Sequence, residues 1–313
     1  MKLRVIRMIG SIGRSGNRRR TSLRFAATVA LAALFWSTAA LRPVYAVSAA
    51  GEAAPEPQSK LEHQVERWVA ALSKQKPFED WQAADPHIAA LGPGTHSWLV
   101  LFTKEGQDIG YMVVHAVVDG TFQLGEYGTG PYSLFSTQQL KRSLIYGGLV
   151  SEEEIGLITA AKRYVHPFAA AWEVRIGEHT YWLDAKTAEQ LPIDDQQWTS
   201  LFGGRKPLSA ESAAGSRVDA LRLNDPFDAY EKLPWLAKET PFPAEDVLKL
   251  QKRLDEGKHL RYVAEPFGEA MLYAAPVVGY QRWSGGRVDV ALDMEGTRFI
   301  PLDALLANGL FYR

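Results

Sequence analysis

Apolar residues recur at Leu61, Val65, Trp68, Val69 and Leu72 with charges between them, and this spacing of three and four predicts an amphipathic helix over residues 60–75, ended by Pro77. The pattern then changes period. Residues 97–103 and 109–118 are apolar runs rich in Val, Leu, Trp and Phe, separated by the polar turn Lys104, Glu105, Gly106, Gln107. Asp119 and Gly120 supply a two-residue hairpin turn into residues 121–127. A helix followed by an antiparallel three-stranded meander is the expected first unit.

A second stretch repeats this plan. Residues 137–146 read as a short helix, Ser151 with Glu153 and Glu154 as the start of another, and residues 164–168 and 172–176 as strands. Trp172, Val174 and Ile176 alternate with Glu173 and Arg175, so one face is dry and the other wet. Gly177 and Glu178 turn the chain into a strand over 179–183. Residues 203–216 shift to Gly, Ser, Ala and basic residues and read as a linker. Beyond an aromatic connector at 225–236, a helix is expected over 243–256, with Val247, Leu248, Leu250 and Leu254 on its apolar side. Strands follow at 260–264, 270–283, 287–292 and 297–301, then a helical turn at 302–308. The fold class is therefore α+β, built of repeated helix-plus-meander units in two domains, 60–202 and 217–313. Leu183-Asp184 with Leu191-Pro192-Ile193-Asp194 is echoed 109 residues later by Leu292-Asp293 with Ile300-Pro301-Leu302-Asp303, which would fit a shared plan or two similar hairpins.

Ahead of these elements, residues 25–41 carry no charge, follow eight basic residues and precede Val44, Tyr45 and Ala46. This order of basic, apolar and small-residue segments predicts a signal peptide over 1–46, cleaved after Ala46, with 47–59 as a spacer. Arg19-Arg20-Thr21-Ser22-Leu23-Arg24 is similar to a twin-arginine signal, and an ordinary secretory signal stays open beside it. Uncleaved, the segment would act as a membrane anchor. Charge divides at the same place. Nine of the 35 basic residues and none of the 36 acidic ones lie in residues 1–46, so residues 47–313 hold 26 against 36 and stand at −10. An acidic, extracytoplasmic body without clustered Lys and Arg argues against nucleic acid as a partner. The absence of cysteine excludes disulfides, thiolate metal sites and Cys nucleophiles.

The segment Trp172-Glu173-Val174-Arg175-Ile176, followed by Tyr181-Trp182-Leu183-Asp184-Ala185-Lys186-Thr187-Ala188-Glu189, resembles the closing hairpin of PepSY and PepSY-like domains, whose second strand ends in Asp-Ala-x-Thr-Gly-Glu. Asp184, Ala185, Thr187 and Glu189 match, and Ala188 replaces the usual Gly, implying a turn that needs no positive φ there. The resemblance covers residues 137–195, more thinly 60–128, and leaves the C-terminal half unassigned. It implies a small non-catalytic module of bacterial envelope and secreted proteins, proposed to restrain peptidases or bind envelope ligands, with no catalytic residues to carry over.

No residue set reads as catalytic, cofactor-binding or metal-ligating. His63 and Glu66 lack further ligands, and Ser73 with Lys76 sits at the polar end of a helix. Gly128-Thr129-Gly130 lacks the rest of a dinucleotide fingerprint, and His115 reads as a hydrogen-bonded, partly buried residue. Asp194 with Asp195, and residues 152–154, offer adjacent acids that point apart. Alternation on strand 180–184 singles out Tyr181 and Trp182, because one of the two would face solvent unless a neighbouring helix covers it, making them the candidate partner contact. The expected function is a non-enzymatic binding or regulatory protein of the envelope, engaging a peptide segment or restraining a peptidase through a sheet face or edge. The alternatives are an envelope-polymer hydrolase with a carboxylate or His site between the two halves, and a glycan-binding module using exposed Trp and Tyr.

Overall fold

A computed structural model describes residues 56–92, 95–201, 214–231 and 239–313. The signal segment and most of the spacer lie outside the described residues. Helix α1, Glu56–Leu72, starts earlier than expected, so residues 56–59 belong to it and not to a spacer. Pro57 sits in its first turn, where a missing N–H costs nothing. Leu61, Val65, Trp68 and Leu72 are buried as their spacing required. A 3-10 segment, Lys76–Ala83, follows.

Ten strands form one sheet. Its first members are β1 (Asp85–Ala90), β2 (Ser97–Lys104), β3 (Gln107–Ala116) and β4 (Phe122–Thr129), a meander with an extra edge strand. The β2–β3 loop is a two-residue turn in which Glu105 and Gly106 have φ of 53° and 76°. Both positions are left-handed, the geometry that Asn-Gly suits best. Glu105→Asn is therefore expected to raise stability by about 0.5–1 kcal/mol in a thermal or urea melt.

After β4 come α2 (Thr137–Tyr146) and a separate three-stranded sheet of β5 (Thr159–His166), β6 (Ala169–Ile176) and β7 (His179–Asp184). Ser136 caps α2 at its start and Gly147 follows its end. The helix expected from Ser151 is only a 3-10 turn, Glu154–Gly156, in which Ser151 and Glu154 exchange hydrogen bonds. A short helix, α3 (Asp195–Ser200), is capped by Asp194. The remainder is β8 (Val218–Leu223), α4 (Val247–Asp255), β9 (Arg261–Ala264), β10 (Tyr273–Trp283), β11 (Val288–Asp293), β12 (Thr297–Pro301), α5 (Leu302–Asn308) and β13 (Gly309–Tyr312).

The large sheet runs β1-β2-β3-β4-β12-β11-β10-β9-β13, and β8 pairs with β10. This overturns the expected division at 203–216. Strand β4 of the first half pairs with β12 of the second, and one core cluster joins Leu61, Trp81 and Tyr127 to Val218, Trp283 and Phe299. The two halves share that core, and all described residues fall in one compact unit. The two echoed segments occupy the same local setting, a strand end, a tight turn and a Pro ahead of a short helix, at β7–α3 and at β11–α5.

The pairing of β4 with β12 is only two residue pairs long, Arg298↔Gly128 and Phe299↔Tyr127, and buried polar groups extend the junction. Glu126 is fully buried and takes the Arg298 guanidinium at 2.6 Å, with the Tyr111 hydroxyl donating at 3.0 Å and Tyr164 at 3.1 Å. Arg298 also donates to the Pro167 carbonyl, so β12 holds both sheets. Burial disfavours the Arg298 charge, but Glu126 outweighs it and keeps the guanidinium firmly ionised. A second buried pair lies alongside. Arg287 binds Asp289 at 2.7 Å and reaches back to the Leu124 carbonyl, while Tyr127 and Trp283 donate to the same carboxylate. Glu126 and Asp289 are thus both fully buried and committed to the fold.

Candidate functional site

The β6–β7 hairpin has an inner and an outer face. Its inner face carries Trp172, Val174 and Leu183 against Leu140 and Leu144 of α2. At the end of β7, Asp184 accepts from the backbone N–H of Lys186 and of Thr187, which closes the turn, and its other oxygen accepts from Tyr273 of β10 at 2.9 Å. Ala188 in this turn has φ of 55°, so the reading of a turn without positive φ is wrong. The residue sits buried against Ser143 of α2, whose hydroxyl bonds its carbonyl, and the packing holds it in a conformation glycine would adopt freely.

The outer face was expected to present Tyr181 or Trp182. Trp182 is 4% exposed. Its ring stacks on Trp198 of α3 at 4.5 Å, its Nε1 donates to Asp195 at 2.8 Å, and Phe267 from the second half closes the cluster. A helix of six residues thus covers it, and Trp182 is no partner contact. Tyr181 lies on the inner side, half-buried beside the α2 core. Asp194 and Asp195, considered as acids, serve as a helix cap and as the Trp182 acceptor.

Coverage stops part-way along that outer face. Toward its other end Thr159, Ala161, Arg163, Glu173 and Arg175 surround a shallow hollow of ≈ 190 Å³. The register places Ala161 opposite Glu173 and Thr159 opposite Arg175, so two small side chains leave room over two long ones. Glu173 is only 7% exposed. It is held between two guanidiniums: Arg163 donates from Nε at 2.6 Å to one carboxylate oxygen, and Arg175 donates to the other from Nε at 2.9 Å and Nη2 at 2.6 Å. Burial alone would raise the Glu173 carboxyl, but the hydrogen bonds from Arg163 and Arg175 outweigh it and hold it below the usual range. The adjoining edge of β5 is less open. Gly92 approaches the Lys162 carbonyl so closely that a Cβ there would stand 3.0 Å from it, and a strand could not pair along the whole of β5.

A larger hollow of ≈ 350 Å³ lies between β8 and the turn after α4, lined by Arg222, Asn224, Asp225, Phe227, Lys258 and His259. Its charges are mixed, and Lys258 already pairs with Glu256 at 2.7 Å. Among the described residues no three of His, Asp and Glu stand close enough to hold a metal ion. His115 is half-buried and bonded to Ser97 at 2.7 Å, as its strand position suggested. Trp68, Trp81, Trp172, Trp198 and Trp283 are buried like Trp182, Trp98 is half-buried, and Trp235 lies outside the described residues, so these indoles form no exposed row for a sugar.

The chain matches no family model, no curated protein and no solved structure. The likeness to PepSY domains therefore stands on the residues of the β6–β7 hairpin and its turn.

Proposed function

We propose that this protein is a non-enzymatic binding or regulatory protein of the extracytoplasmic space, holding a protein or peptide partner against the outer face of its small sheet. One observation carries the reading: among the described residues that face is sealed by Trp198 and Phe267 at one end and left uncovered over Thr159, Ala161, Arg163, Glu173 and Arg175 at the other. Two covered faces would have completed the core, so a half-covered sheet anchored rigidly from behind by α2 is a ready docking platform. The order of basic, apolar and small residues over 1–46 supports an export leader, and with it a platform outside the cytoplasm. The PepSY-like hairpin fits a partner of the peptidase class, held by surface complementarity and not by chemistry.

The test is capture from an envelope extract with the full chain and with Ala161→Trp, which fills the hollow without touching the core. A protein held by the wild type and released by the variant is the expected result. Identical captured sets, or recovery of nothing but bulk polysaccharide, would overturn it.

A further inference from the structure

We infer that the partner presents a carboxylate-rich segment, an acidic peptide stretch, to the paired guanidiniums of Arg163 and Arg175; this rests on the outer-face reading above. A guanidinium carries five N–H donors and a carboxylate about four acceptor positions. Glu173 engages each arginine through the Nε and Nη2 edge only. The Nη1 group of each guanidinium is left uncommitted among the described residues, and two cations against one anion leave a net positive charge at the hollow.

Glu173 thereby acts as a positioning residue. It fixes two flexible side chains as oriented forks, with 32% and 62% of the Arg163 and Arg175 side chains exposed to an incoming ligand. Holding the forks in advance removes much of the rotamer entropy that binding would otherwise cost. Carboxylates are the complement of such forks, because each accepts two parallel N–H bonds. The setting adds contrast. The chain beyond residue 46 stands at −10, so an acidic segment is repelled by most of this surface and meets its attraction locally. Thr159 and Ala161 keep the approach low enough for a peptide backbone to lie across β5.

The experiment is calorimetric titration of the full chain with an oligoglutamate peptide, with oligolysine and oligoserine peptides of equal length as controls. Saturable binding of oligoglutamate alone, weakening as salt rises, is expected. Arg163→Ala with Arg175→Ala should weaken it at least about tenfold, while Arg163→Lys with Arg175→Lys, which keeps the charge and loses the fork, should fall between. Absence of oligoglutamate binding, or equal affinity in the double alanine variant with its fold intact by circular dichroism, would overturn the acidic partner. The two readings fail separately. If Ala161→Trp still releases a captured protein while oligoglutamate does not bind, the face stands and the acidic class falls; if Ala161→Trp releases nothing, the face itself falls.

Discussion

Arg298→Ala should cost about 3–5 kcal/mol in urea unfolding, the largest loss expected from any single change in the chain. The size follows from what remains behind. Glu126 would keep two neutral donors, Tyr111 and Tyr164, in a site with no access to water, and the one cation bonded to it among the described residues would be gone. An unpaired buried carboxylate takes up a proton instead, so the variant should lose less at acid pH than at neutral pH. The double variant Glu126→Gln with Arg298→Met should recover much of the loss, since a neutral pair removes the stranded charge. A loss below about 1 kcal/mol for Arg298→Ala would mean that the β4–β12 junction is held by its strand pairing and core alone.

Stability should also rise with pH through a window set by Lys186. This lysine is 5% exposed, bonds the Tyr132 carbonyl at 2.5 Å and lies 5.4 Å from the Tyr111 ring centre. Burial lowers it to about 8, with the Arg298 charge adding to the effect and Glu126 and Asp184 opposing it. The unfolded chain holds this proton up to about 10.4. Between those values the unfolded state binds more protons than the folded one, so stability increases as pH rises. Below about 8 both states are protonated and the fold carries the whole penalty, about 3 kcal/mol. Lys186→Met removes the titration. The wild type should therefore gain on the variant by about 2–3 kcal/mol between pH 8 and 10.5 in parallel urea titrations. A constant difference across that range would show that Lys186 keeps its ordinary affinity for protons.

Local elements were legible because local causes make them. Helix α2 is bounded by Ser136 and Gly147, and the stripe on α1 reads directly as the buried face. Strand β1 was not, because an edge strand with Pro86 and exposed side chains lacks the alternation that marks a half-buried one. The short helix α3 hid in a polar stretch, and it was this helix that covered Trp182 and removed the expected contact. The boundary at 203–216 shows how composition misleads: a Gly- and Ser-rich segment joins two halves of one sheet as easily as two domains. Nothing near Glu126 announces a partner 172 positions away. Half of the candidate site was visible, since alternation put Glu173 and Arg175 on the wet face, but Arg163 joins them only through the β5–β6 register.

The two-pair junction between β4 and β12 also sets an order of events. Strands β2, β3 and β4 can form a meander as soon as they are made, yet their core lacks Trp283, Ala291 and Phe299 until almost the whole chain exists. Contacts separated by so many residues form slowly, because a long loop must close before any of them stabilises the product. During synthesis the early strands would wait with an unpaired edge at β4 until the final strands arrive.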